Sequence, residues 1–168
     1  MKTETNHEKQ KAEILANLVF KLLPRCQQKE MQLAEKNHLL HSEFKCLHFF
    51  DSDKKLNNSS IAEKMKMSPS RSTRIVDGLV TKDFLIREED PEDRRNVVVS
   101  LSKKGKLLTH KLDKEYINLH SEILKDMDSS QRMRLISAVE NLNSAIEVWL
   151  LKPRISFLDK RKSADKDK

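Results

Sequence analysis

The stretch from Asn57 to Leu101 constrains the chain most, because it alternates between helical and strand patterning within a short span. It reads helix, tight turn, helix, strand, charged loop, strand. The second of these helices starts at Ser68-Pro69. A serine in that place can cap free backbone N–H groups, and proline fits the first helical position, where its missing N–H is not needed. Beyond it, Ile75, Val76, Leu79 and Val80 form an apolar side, while Arg71, Arg74 and Gly78 recur at helical spacing on another. The preceding helix, Ser60 to Met67, points Ile61, Ala62 and Met65 inward. Two short helices joined by a compact turn predict a helix-turn-helix, whose second helix enters the DNA major groove. Phe84 to Glu89 and Asn96 to Leu101 are rich in strand formers and flank the charged run Asp90-Pro91-Glu92-Asp93-Arg94-Arg95. That pattern predicts a β-hairpin with a long charged tip, a wing.

These residues carry a resemblance. Asp90 to Arg95, the strand Val97 to Leu101 and the following Ser102-Lys103-Lys104-Gly105 resemble the wing signature of the MarR family of bacterial and archaeal repressors. Ser68 to Lys82 resembles that family's recognition helix, and the likeness in element order covers roughly residues 10 to 150. It implies that Arg95 enters the minor groove, where a narrow A·T-rich groove concentrates negative potential. Asp93 would orient that guanidinium and Arg94 would contact phosphate. A charged tip kept soluble by its own salt bridges is the alternative. Asp83 departs from the family, which usually has glycine where the recognition helix ends. A left-handed residue is wanted there, and aspartate tolerates that conformation better than most.

Arg71 and Arg74 are expected to read guanine edges or hold phosphates, against the plainer reading of a solvated helix face. Ser70 and Thr73 are weaker DNA-binding candidates, with simple packing as the alternative for Thr73, and Lys64 and Lys66 are secondary phosphate candidates. Gly78 either admits a close approach of DNA backbone or is simply tolerated.

Outside this stretch the chain is helical. Ile14, Leu15, Leu18, Val19, Leu22 and Leu23 form one stripe of a helix beginning near Glu13, and Pro24 is expected to kink or split it. Ser42 to Phe50 is a second helix, with Ser42 as cap, and Asp51 to Asn58 is a polar connection. Ser102 to about Met127 is a long helix carrying Leu108, Leu112, Leu119 and Ile123. Asp128-Ser129-Ser130 caps a last one with Leu135, Val139, Leu142, Ile146 and Trp149, ended by Pro153. The expected organisation is a frayed stretch 1–10, a single domain 11–151 and a charged, disordered tail 152–168. Within the domain, about 38–101 is the DNA-binding lobe, and about 11–35 and 102–151 are dimerisation helices. The fold class is therefore mainly α with a small β-hairpin wing: a winged helix-turn-helix between N- and C-terminal dimerisation helices.

Composition narrows the function. Only 37% of the 168 residues are hydrophobic, which suits a helical protein that completes its core by pairing. The outer helices carry more apolar stripe than a local fold could cover. Net charge is +7, which favours a polyanionic partner, but the tail from 152 to 168 supplies +4 of it. Between Lys64 and Arg95 acids and bases nearly balance, so DNA affinity must come from placement. No apolar run reaches the roughly 18 residues of a membrane span, and the polar start lacks a signal-peptide core. Cys26 and Cys46 are isolated thiols, typical of a reducing compartment, so a cytoplasmic location is expected.

His38, His41 and His48 with the two cysteines lack the spacing of a zinc site. Neither a metal nor any other cofactor is expected. A redox switch at Cys26 or Cys46 is a minor alternative. No nucleophile-base arrangement or phosphate loop points to an enzyme. The expected function is a homodimeric, sequence-specific regulator of double-stranded DNA, a ligand-responsive repressor on a palindromic operator. The competing reading is a winged-helix protein-interaction module that has lost DNA binding. The resemblance implies an effector pocket between the first, second and fifth helices, with Leu22, Cys26, His41, Phe44 and Leu108 as candidates. It also implies an aromatic or lipophilic carboxylate as effector.

Overall fold

The computed structural model describes residues 2–51, 54–89 and 97–152. The order is α1 (Lys2–Lys36), α2 (His41–Leu47), β1 (Leu56–Asn57), α3 (Asn58–Lys64), α4 (Pro69–Thr81), β2 (Leu85–Glu89), β3 (Val97–Leu101), α5 (Lys103–Leu124) and α6 (Ser129–Leu151). The chain divides into two compact units, Met1–Leu119 and His120–Lys168.

α1 starts at Lys2, not near Glu13, so it takes in most of the stretch 1–10 that the apolar stripe leaves out. Glu8 to Ala12 are good helix formers, and propensity extends the helix where burial does not. Pro24 does not split α1. It removes one N–H from the ladder, and several intact turns on each side keep the helix continuous. α2 starts one residue before Ser42 and ends at Leu47. Its cap is not a serine hydroxyl: the Glu43 carboxylate accepts the backbone N–H of Leu40 at 2.8 Å. α3 starts at Asn58, capped by the Asn57 side chain on Ser60 N–H at 2.8 Å, and stops at Lys64, short of Met67.

The connection before α3 contains a strand that the sequence reading missed. β1 pairs antiparallel with β3, Leu56 opposite Val99. β3 in turn pairs with β2, Leu85 opposite Leu101 and Arg87 opposite Val99, giving the order β1-β3-β2. A two-residue strand has no periodicity to detect; only its partner makes it a strand.

The core lies where α3, α4, β2 and β3 meet the end of α1 and α2. Leu47, Ile61, Leu79 and Leu85 are fully buried there, each stabilising by roughly 1.5–3 kcal/mol. Ile61, Ala62, Ile75, Val76 and Leu79 face inward as their spacing predicts.

Among the described residues, three helix ends turn in the left-handed region on residues other than glycine: His38 (φ 58°), Lys66 (φ 52°) and Asp83 (φ 61°). Each closes a Schellman motif, for example Phe84 N–H to Leu79 C=O at 2.9 Å and Asp83 N–H to Val80 C=O at 2.9 Å. Gly105 is needed for a different reason. A Cβ there would sit 1.9 Å from the carbonyl oxygen of Phe84. The start of α5 thus lies directly on the corner between α4 and β2. Ser102 ties that corner, donating its hydroxyl to Asp83 C=O at 2.6 Å and accepting the N–H of Gly105 at 2.9 Å.

In the second unit, α6 is capped reciprocally by Asp128 and Gln131. None of its residues is buried. Pro153 and the rest of the tail lie outside the described residues.

Candidate nucleic-acid interface

The N-terminal half of α4 is held by one side chain. Asn58 donates to Pro69 C=O (3.2 Å) and to the Thr73 hydroxyl (3.0 Å), and accepts the hydroxyl of fully buried Ser72 at 2.9 Å. Thr73 also donates back to Pro69 C=O at 3.0 Å. Its hydroxyl is therefore occupied in joining α3 to α4. Asn58 and Ser72 were missed in the sequence, although one signal was present. Ser72 falls on the same stripe as Ile75, Val76 and Leu79, and a hydroxyl at a core position requires a partner. Ser68 occupies the cap position but caps nothing; its hydroxyl meets that of exposed Ser70 at 3.3 Å.

Arg71 and Arg74 are exposed, and among the described residues neither guanidinium has a hydrogen bond or ion pair. Two cations at helical spacing, on a helix fixed from behind, are available to a polyanion. Lys64 and Lys66 are exposed at the turn between α3 and α4. Gly78 belongs to another contact. A Cβ there would lie 2.8 Å from a carboxylate oxygen of Glu43, so the gap accommodates α2 and not DNA backbone.

The wing rises from β2 and β3. Its base is fixed by Arg87, which pairs with Asp77 of α4, and by Lys55, which pairs with Glu88 at 2.7 Å. Asp93, Arg94 and Arg95 lie outside the described residues.

The five effector candidates do not form one site. His41 and Phe44 line a cavity of about 800 Å³ with Glu30, Lys45, His48, Phe49, Lys64, Met65, Lys66, Met67, Arg71 and Tyr116, among others. Leu22, Cys26 and Leu108 do not line it. Leu22 is exposed on α1, Cys26 is half-buried there, and Leu108 packs against the core. The helix-turn-helix contributes Lys64 to Met67 and Arg71 to the cavity wall. Glu30 is already engaged by His41 at 2.9 Å and Lys45 at 3.9 Å. Burial, with Glu43 nearby, pushes the Cys46 thiol up to about 12. A thiol so protonated is a poor redox switch. Among the described residues no cluster of three or more His, Cys, Asp or Glu could hold a metal ion. No helix there is long and apolar enough to cross a membrane.

Residues 39–97, spanning α2 to the start of β3, match the model of the MarR family. The lobe is a MarR-family winged helix-turn-helix. An uncharacterised HTH-type transcriptional regulator of Bacillus subtilis, YhbI, is 27% identical over 89 residues, which are 53% of this chain and 58% of that protein. The match thus spans little more than half of the relative's length. A MarR family protein from Bacillus stearothermophilus superposes with a TM-score of 0.75 at 14% identity, covering 83% of this chain and 97% of that one. A point mutant of S. aureus MepR, solved bound to an oligodeoxyribonucleotide, superposes with a TM-score of 0.58 at 14% identity, covering 78% and 97%. The MarR family consists of transcriptional regulators, not enzymes.

Proposed function

We propose that this MarR-family chain is a sequence-specific regulator of double-stranded DNA that works as a homodimer on a palindromic operator, as a repressor. One observation carries this reading. Among the described residues, Arg71 and Arg74 stand exposed and unpaired on α4 while Asn58 and Ser72 lock the opposite side of that helix. In this reading α4 lies in the major groove, Lys64 and Lys66 meet phosphates, and Arg95 reaches the adjacent minor groove with Arg94 and Asp93 beside it. A second copy covers the apolar faces of α1 and α6, and the two recognition helices read half-sites about 10 base pairs apart.

The cavity between α2 and the helix-turn-helix supports a ligand response. An amphipathic anion there would meet Phe44, Phe49 and the methionines with its body, and Lys45, Lys66 or Arg71 with its charge. Occupancy that shifts the lobe spacing away from the half-sites lowers affinity by the difference in binding to the two states.

The test is selection of bound sequences from random duplexes with purified protein. The expected outcome is a two-fold symmetric motif whose affinity falls steeply with salt. Arg71→Ala or Arg74→Ala should then relax base preference at one position per half-site, at a cost of about 1–3 kcal/mol. A uniform loss across sequences would assign that arginine to phosphate. Retention of no duplex at low salt would sink the proposal.

A further inference from the structure

The most buried charged group of the described lobe is Glu43, which keeps only 3% of its side chain exposed. It sits on α2, outside the helix expected to touch DNA, and neither the cation-rich edge nor the cavity uses it. A carboxylate this buried is costly unless fully compensated, so its partners define its purpose. They are all on the far half of the recognition helix or on the turn behind it. Lys82, the C-cap of α4, donates to Glu43 Oε2 at 2.6 Å and also reaches the carbonyl of His38 at 3.1 Å. His38 is the left-handed residue that ends α1. The N–H of Leu40, which opens α2, fills the same carboxylate oxygen at 2.8 Å. The other oxygen faces Gly78, at the distance where a methyl group could not fit.

Gly78 and Lys82 are four residues apart and so share one edge of α4, with Arg71 seven residues before Gly78 on the same edge. One carboxylate therefore grips the C-terminal half of the edge whose N-terminal half carries Arg71. A rotation or slide of α4 that moved Arg71 would have to break this grip.

We infer that Glu43 is a positioning residue for the recognition helix. Its carboxylate, docked in the Gly78 gap and neutralised by Lys82, sets the orientation of α4 against α2 and the end of α1. This rests on the reading of α4 as the DNA-contacting helix, but the latch itself can be tested without DNA.

The experiment compares Glu43→Gln, Lys82→Met and Gly78→Ala, and Gly78→Ala in a Glu43→Ala background, all in the full chain. Affinity is measured for a selected duplex and for a scrambled one, beside unfolding by urea. Alanine is the better helix former, so Gly78→Ala would stabilise the protein if the glycine were merely tolerated. The latch makes it destabilising in the natural background and neutral or stabilising when Glu43 is alanine. For Glu43→Gln and Lys82→Met, affinity for the selected duplex should drop about tenfold, while that for the scrambled duplex moves less than about twofold. Lys82→Arg should restore part of the loss. Equal losses on both duplexes at full folding, no loss on either, or the same Gly78→Ala effect in both backgrounds would overturn the inference. If the natural protein holds neither duplex, the DNA reading fails, and the unfolding cycle alone still decides the latch.

Discussion

The winged lobe and the helices that flank it solve burial differently. In the lobe, each apolar stripe finds its cover within the same chain: Ile61 and Leu79 are wholly enclosed. Along α1 before Pro24, and along α6, most apolar positions stay open. Leu18 is 60% exposed and Trp149 65%, and no residue of α6 is buried. Single exposed apolar residues are ordinary; a contiguous exposed stripe along a helix is a candidate contact surface. The difference teaches that the lobe closes its core within one chain, whereas the open stripes of α1 and α6 are the faces that the proposed second copy would cover.

Four measurements break or sharpen that contrast. Leu79→Ala should cost about 2–5 kcal/mol in urea unfolding, because it leaves a cavity in a closed core. That cost should not depend on protein concentration. A charge on the open stripes, Leu18→Glu with Val139→Glu, should weaken self-association by about a hundredfold or more. Sedimentation over a concentration series reads it, and the lobe should stay folded. If association were unchanged, the stripes would be covered by something other than a second copy.

A smaller effect tests the lobe's own strain. Asp83→Gly should stabilise by up to about 1 kcal/mol, because glycine adopts the left-handed turn without steric cost. Thermal melting at fixed concentration reads that gain.

The smallest effect concerns Glu115 of α5, where α5 meets the end of α1. Hydrogen bonds from Lys36 and from Asn37, both at 2.8 Å, hold its carboxyl below the usual range. A depressed folded value means the stabilisation is complete above the ordinary carboxylate range and is lost as pH falls through the folded value. Glu115→Gln should therefore lower stability at neutral and alkaline pH, leave it little changed at the acid extreme, and so flatten the acid limb of the profile. An unaltered acid limb would show that this contact adds nothing.

Much of the lobe was legible in the residues. The spacing of Ile75, Val76 and Leu79 located the buried side of α4, and Pro69 marked its start. The absence of glycine at the helix end required Asp83 to turn left-handed, and it does. Less of the site was legible. Thr73 was weighed between DNA contact and packing and its hydroxyl joins Asn58, and Gly78 was weighed between DNA backbone and plain tolerance and accommodates Glu43. The effector candidates on α1 and α5 were carried by resemblance, and only His41 and Phe44 line the cavity.

By itself, then, the sequence determined the elements: periodicity, capping residues and chain stiffness act within a turn or two, so their effects can be read in place. Tertiary structure decided which polar groups were free to act. Lys82 and Glu43 lie 39 positions apart, Asn58 and Ser72 14 apart, and β1 exists only through β3. No local rule links such residues. They meet because burying the apolar faces brings their backbones together, and buried charges and hydroxyls must then find one another.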